Sequence, residues 1–92
     1  MKILNSKFKI PPKRSLGQNF LSNPQILAKI ADAAEITKDD IVLEIGPGTG
    51  NLTRILAERA GRVIAIEKDS RLIEQLKHEM PDNVEIIEAD IL

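Results

Sequence analysis

Short runs rich in Val and Ile alternate along this chain with stretches whose apolar residues recur at helical spacing. The runs occupy positions 41–46, 62–67 and 84–90, and their density of β-branched residues is typical of strands buried on both faces. The sequence therefore predicts a helix followed by β-α-β-α-β. This is an α/β fold with three parallel strands and right-handed crossovers, which is one half of a doubly wound sheet.

Capping residues mark where the predicted helices begin. Ser22 or Asn23 is suited to the N-cap of the first helix, and Pro24 to its first turn, where a missing N–H costs nothing. Asp69 or Ser70 is the expected N-cap of the last helix. These boundaries place strand 41–46 directly before a loop that contains three glycines.

That loop is the most informative motif of the chain. The segment Ile41-Val-Leu-Glu-Ile-Gly-Pro-Gly-Thr-Gly50 is an apolar run that breaks into glycines at alternate positions and then continues into a helical pattern. Glycine allows a sharp turn and a close approach of the backbone to a ligand. The pattern predicts a nucleotide-like cofactor at the end of the first strand, held by Gly46 and Gly48.

Three acidic residues lie near the carboxyl ends of the three predicted strands, namely Glu44, Glu67 and Asp90. Ligands of open α/β sheets bind at that edge. Glu67 follows the first glycine by about twenty residues, the spacing at which a carboxylate accepts hydrogen bonds from ribose hydroxyls. Asp90 is placed to accept one from an exocyclic amine such as that of adenine.

Two residues distinguish between the candidate cofactors. A dinucleotide fingerprint requires Gly or Ala where this chain has Asn51, and the Glu44 carboxylate would repel a pyrophosphate. S-adenosylmethionine carries a sulfonium and an ammonium, together with the ribose and adenine that Glu67 and Asp90 would hold. The sequence favours this cofactor, and a nicotinamide-dependent oxidoreductase remains the weaker alternative.

Composition restricts the other classes of protein. The chain has 92 residues, no cysteine and one histidine, so neither a disulfide nor a metal site is expected. No apolar run is long enough for a signal peptide or a membrane span, and we expect a cytoplasmic protein.

Charge is distributed unevenly. Residues 1–31 contain six Lys or Arg and no Asp or Glu, whereas the remainder carries a net charge of -7. We predict a basic, extended arm over residues 1–14 and the cofactor-binding domain over 15–92. The arm would contact nucleic-acid phosphates through its five basic residues, Lys2, Lys7, Lys9, Lys13 and Arg14.

Taken together, these motifs resemble a known family. Arg14-Ser-Leu-Gly-Gln-Asn-Phe-Leu21, Glu44-Ile-Gly-Pro-Gly-Thr-Gly50, Ile66-Glu67 and Ala89-Asp90 are similar, in order and spacing, to the first third of the small-subunit ribosomal RNA adenine dimethyltransferases. The resemblance extends from about residue 13 to residue 92. It implies a Rossmann-like class I methyltransferase that methylates adenine N6 in ribosomal RNA.

The resemblance also implies which residues bind S-adenosylmethionine. Three residues of the segment before the first helix would close over the methionine end, and four others would bind its backbone side, ribose and adenine. In sequence order these are Gln18, Asn19, Leu21, Gly46, Gly48, Glu67 and Asp90. A non-catalytic nucleic-acid-binding relative of the same fold is the alternative function.

The family's catalytic loop is expected after a fourth strand, which this chain does not reach. We therefore name no catalytic residue and expect the 92-residue chain alone to be inactive. In a doubly wound sheet the first strand lies between the second and the fourth. Strand 41–46 should then be an open edge, through which the chain would self-associate.

Overall fold

The fold was analysed in a computed structural model, which describes residues 1–5 and 23–91. These residues form four strands and three helices. The strands are β1 (Lys2–Asn5), β2 (Ile41–Ile45), β3 (Arg62–Glu67) and β4 (Val84–Glu88). The helices are α1 (Pro24–Ala33), α2 (Asn51–Arg59) and α3 (Ser70–Glu79).

All neighbouring strands are parallel, in the order β1-β2-β3-β4. In register, Glu44 of β2 lies opposite Ala65 of β3, and Glu67 lies opposite Glu88 of β4. The predicted α/β class, the three later strands and the three helices are confirmed. Glu67 lies two residues beyond Ala65, the partner of Glu44, so the two acidic residues are at different heights along the strands.

The strand count differs from the predicted three. Lys2–Asn5 pairs in parallel with β2, with Lys2 opposite Val42 and Asn5 opposite Ile45. The prediction of an open edge at 41–46 is therefore wrong, because β2 is paired on both sides. Association through an exposed strand 41–46 loses its physical basis. Four residues of the predicted arm belong to the sheet, and the boundary at residue 14 stays a prediction.

The helices cover one face of the sheet. Val42 and Val63 pack with apolar residues of α1 and α2 in a buried cluster. Its helical members are Leu27, Ala31, Leu52, Leu56 and Ala57. Burial of this apolar surface supplies most of the driving force for folding, at roughly 25 cal/mol per Å². The packing fixes the carboxyl ends of β2 and β3 side by side.

The predicted helix starts are confirmed. The Asn23 side chain accepts hydrogen bonds from the N–H groups of Gln25 and Ile26, and Pro24 occupies the first turn of α1. Asp69 caps α3 by accepting from the Arg71 N–H. Within residues 1–5 and 23–91, no helix is long and apolar enough to cross a membrane.

Candidate functional site

The loop between β2 and α2 is built on three glycines in the left-handed region of backbone space. Their φ angles are 73° at Gly46, 61° at Gly48 and 87° at Gly50. A residue with a side chain pays a steric penalty in this region. The Gly46 N–H donates to the Ile66 carbonyl at 2.9 Å, which continues the β2–β3 ladder into the loop. The chain thus turns sharply at the sheet edge.

Gly48 and Gly50 differ in what surrounds them. A Cβ atom added to Gly50 would lie 2.6 Å from the Met80 Cε, so the end of this side chain would have to shift. A Cβ atom added to Gly48 would meet no atom within 4 Å in the described part of the chain. Among the described residues, therefore, no atom fills the space beside the Gly48 backbone.

Glu67 lies beneath this loop at the end of β3, with 4% of its surface exposed. One carboxylate oxygen accepts from the Gly48 N–H at 3.2 Å, and the other accepts from the Asp69 N–H at 2.9 Å. Each carboxylate oxygen has two lone pairs, so further donors can be accepted. Glu67 thus joins the glycine loop to the β3–α3 turn and keeps acceptor capacity for hydroxyl groups.

Glu44 is fully buried and lies deeper than Glu67. It accepts a hydrogen bond from the hydroxyl of Thr53, which is also fully buried and belongs to α2. Thr53 is not among the residues predicted from the sequence. Its signal was a polar residue on the apolar side of α2, directly after Leu52. The pair places a carboxylate in the interior behind the glycine loop.

Asp90 follows β4 and is exposed. The Ala89 N–H donates to the Glu67 carbonyl at 3.1 Å, which extends the β3–β4 pairing beyond the last residue of β4. Asp90 therefore follows a residue held against the end of β3. The structure brings the backbone of Asp90, Glu67 and the glycine loop to one edge of the sheet, as predicted.

Asp69 is a further ionisable group at this edge. The Arg71 guanidinium donates to both oxygens of Asp69, at 3.0 and 2.8 Å. This side-chain hydrogen bonding, together with the Arg71 backbone N–H, lowers the pKa of the Asp69 carboxyl to about 2. Asp69 therefore stays charged near neutral pH and holds the turn in which its own N–H donates to Glu67.

Several predicted residues lie outside the described part. They are Gln18, Asn19 and Leu21 of the cofactor site, and Lys7, Lys9, Lys13 and Arg14 of the arm. Lys2 is described, and its ammonium group lies 3.2 Å from an Asp40 carboxylate oxygen and 2.8 Å from the Ala34 carbonyl oxygen. The prediction that Lys2 contacts phosphates is not supported, because this cation is engaged within the chain.

The described groups at this edge suit a ligand with hydroxyl and amine donors. Acceptors at Glu67 and Asp90 suit hydroxyl and amine donors, and open space lies beside Gly48. Glu44 is fully buried behind the loop, and its predicted repulsion of a pyrophosphate stays a prediction. These acceptors therefore suit a ligand that carries a ribose and an adenine, which a nucleoside and a dinucleotide share.

Solved structures with this fold include two RNA-modifying enzymes. A dimethyladenosine transferase from Plasmodium falciparum superposes with a TM-score of 0.65 and is 49% identical, covering 75% of this chain and 26% of that one. The 23S rRNA methyltransferase ErmE gives a TM-score of 0.67 at 45% identity, covering 78% and 30%. Both likenesses confirm a Rossmann-like methyltransferase fold.

Curated relatives are similar over nearly the whole chain. The probable ribosomal RNA small subunit methyltransferase A of Methanopyrus kandleri is 54% identical over 91 residues, which are 97% of this chain and 33% of that protein. The corresponding protein of Alkaliphilus metalliredigens is 50% identical over 93 residues, with 99% and 32% covered. The chain thus spans about a third of their length. A profile of the ribosomal RNA adenine dimethylases matches residues 10–92, and this chain belongs to that family.

Proposed function

We propose that this chain is the S-adenosylmethionine-binding part of an enzyme that dimethylates adenine N6 in small-subunit ribosomal RNA. The observation that carries the proposal is the position of Glu67, whose buried carboxylate supports the glycine loop beside open space at Gly48. Family membership and the names of the curated relatives support the choice of reaction.

Each group at the sheet edge has a role in this proposal. Glu67 accepts hydrogen bonds from the ribose hydroxyls, and Asp90 accepts one from the adenine amine. Gly46 and Gly48 let the cofactor approach the backbone, because glycine carries no side chain. Gln18, Asn19 and Leu21 complete the methionine end, as the family resemblance implies.

The bound cofactor supplies a methyl group made electrophilic by its sulfonium. The residues of this chain bind and orient that group, since correct placement of the reactants contributes a large part of catalysis. The fully buried Glu44 and its partner Thr53 support the interior behind the loop. We assign no residue of the chain to the transfer step and expect the 92-residue chain alone to be inactive.

The RNA partner would be contacted by the basic residues near the N-terminus. Lys7, Lys9, Lys13 and Arg14 remain the proposed phosphate contacts, and Lys2 forms an ion pair with Asp40 within the chain. Phosphate contacts release counterions, so RNA affinity should fall steeply with salt concentration. Fluorescence anisotropy with a small-subunit RNA fragment at 50 and 200 mM salt measures this. Such an enzyme would act in the cytoplasm.

The cofactor assignment is tested by isothermal titration calorimetry. S-adenosylmethionine is titrated into the chain, into Glu67→Ala and into the control Glu74→Gln, which removes an exposed carboxylate of α3. We expect binding by the unchanged chain and the control, and at least a tenfold loss for Glu67→Ala. NAD⁺ is titrated in parallel.

Each outcome decides between the alternatives. Tighter binding of NAD⁺ than of S-adenosylmethionine would contradict the proposal in favour of an oxidoreductase. RNA binding without any cofactor binding, by a chain with a folded circular dichroism spectrum, would favour the non-catalytic relative.

A further inference from the structure

The sheet has a second apolar face that the described helices do not cover. Its side chains alternate with those of the buried cluster, and register aligns Leu43 with Ile64 and Ile45 with Ile66 and Ile87. No residue of this face belongs to the buried cluster formed by the described residues. Parallel sheets are normally covered on both faces. The second face therefore requires a covering element.

Chain direction determines where such an element can come from. The strands follow one another across the sheet in chain order, so every connection runs in the same direction. Right-handed connections therefore place all three described helices on one face. A crossover that continued past β4 would add its helix to this same face. A crossover that returns from β4 to the β2 edge would run over the second face and bury it. The next strand of a longer chain therefore belongs beside β2.

In this structure β1 occupies that position, where it pairs with β2 over four residues and its Lys2 ammonium group donates to the Ala34 and Glu35 carbonyls. It has four residues, and the Ile3 side chain opposite Leu43 is 63% exposed. Leu4 packs against the buried cluster, and Lys2 forms a partly exposed ion pair with Asp40. Ion pairs of this kind contribute little to stability. A short strand anchored in this way can be replaced by a longer one.

We propose that Lys2–Asn5 is a replaceable strand, which covers the β2 edge in this chain and gives way to the strand that follows β4 in a longer family member. The curated relatives are about three times as long as this chain, so they contain the additional sequence that the proposal needs. The proposal depends on family membership and topology, and it does not depend on cofactor binding.

Replacement would protect the sheet during synthesis and later extend the site. Without β1, one edge of β2 would be unpaired, and such an edge readily pairs with other chains. The N-terminal third of a protein is made before the rest. β1 would cover this edge until the later strand is available. Because Asn5 lies opposite Ile45, directly before Gly46, an incoming strand that takes the same register would reach the start of the glycine loop.

Engineered cysteines test the replacement, because the natural chain contains none. Ile3→Cys with Leu43→Cys joins register partners on β1 and β2 at a spacing that suits a disulfide. The cysteine pair is placed in the 92-residue chain and in a chimera. The chimera is the Methanopyrus kandleri relative with its first third replaced by residues 1–92 of this chain. Leu43→Cys with Ile64→Cys, which joins β2 to β3, is the control in both proteins.

Closure is measured by mass spectrometry of free thiols after mild oxidation. We expect the β1–β2 disulfide to close in the 92-residue chain and to form at least tenfold less in the chimera, whereas the control closes in both. Equal closure of the β1–β2 pair in both proteins would show that β1 stays in the longer chain. Closure in neither, with the control intact, would show that β1 does not hold the edge. Both results would overturn the proposal.

Discussion

The Glu67 carboxylate accepts a hydrogen bond from the Gly48 N–H across 19 positions of sequence, at a distance of 3.2 Å. The same carboxylate accepts from the Asp69 N–H at 2.9 Å. One buried side chain therefore holds two loops that belong to different crossovers. The residue proposed to bind the ribose also fixes the glycine loop before any ligand arrives.

Replacing Glu67 with Gln should loosen the glycine loop even without cofactor. The amide keeps one acceptor oxygen but directs an NH₂ donor toward one of the two backbone N–H groups, so at least one hydrogen bond is lost. A hydrogen bond to a charged group contributes about 1.5–3 kcal/mol. We expect amide exchange at Gly48 or Asp69 to become about tenfold faster, measured by NMR. Unchanged exchange at both, with Glu74→Gln as the control, would contradict this positioning role.

Alanine substitutions at Gly48 and Gly50 should separate binding from stability. Both residues have positive φ, so each substitution costs roughly 1–2 kcal/mol of backbone strain. Gly50→Ala also places its Cβ 2.6 Å from the Met80 Cε and 3.1 Å from the Leu76 Cδ2, so these side-chain ends must shift at a further cost in stability. Urea unfolding should therefore show the larger loss for Gly50→Ala. Calorimetry should show that Gly48→Ala loses more S-adenosylmethionine affinity than Gly50→Ala when each loss is compared with that variant's loss of stability. The reverse order would indicate that the ligand does not bind beside Gly48.

The buried pair of Glu44 and Thr53 should contribute measurably to stability. Thr53→Val keeps the shape of the side chain but removes the hydroxyl that donates to Glu44, leaving the buried carboxylate with one donor fewer. Such a loss costs about 1–3 kcal/mol. Thr53→Ser retains the hydroxyl and should lose less. Chemical unfolding of the two variants and the unchanged chain tests this, and equal stability of Thr53→Val would argue against the hydrogen bond.

Acidification should remove the contribution of the Asp69 charge. Hydrogen bonding by Arg71 lowers the folded-state pKa of this carboxyl from 3.8 to about 2. The unfolded chain therefore takes up this proton first, and the stabilisation is complete above pH 4 and lost between about pH 4 and pH 2. Asp69→Asn retains an N-cap acceptor but has no charge to titrate.

Thermal unfolding of both proteins between pH 6 and pH 2 measures this effect. The difference in Tm should be constant above pH 4 and should narrow below it, because the other carboxylates titrate equally in both proteins. A difference that does not change with pH would mean that Arg71 does not stabilise the charged form.

The position of Gly61 after α2 suggests a helix-ending glycine, but a tertiary contact is what requires a glycine there. It follows α2, where a glycine often ends a helix in the left-handed conformation. The structure instead gives left-handed φ angles to Gly46, Gly48 and Gly50 among the described glycines. At Gly61 an added Cβ would lie 2.3 Å from the Lys38 carbonyl oxygen. The glycine is required by a contact with a distant loop.

Local sequence determined the three helices, the three later strands, their caps and the glycine turn. Apolar spacing, capping side chains and glycine act within a few residues, so their effects can be read from sequence. Tertiary structure alone decided the position of β1, because a four-residue strand has little preference of its own and pairs with residues about forty positions away. It also decided the partners of Glu67 and Glu44, since a side chain's hydrogen bonds depend on which distant backbone and hydroxyl groups folding brings beside it.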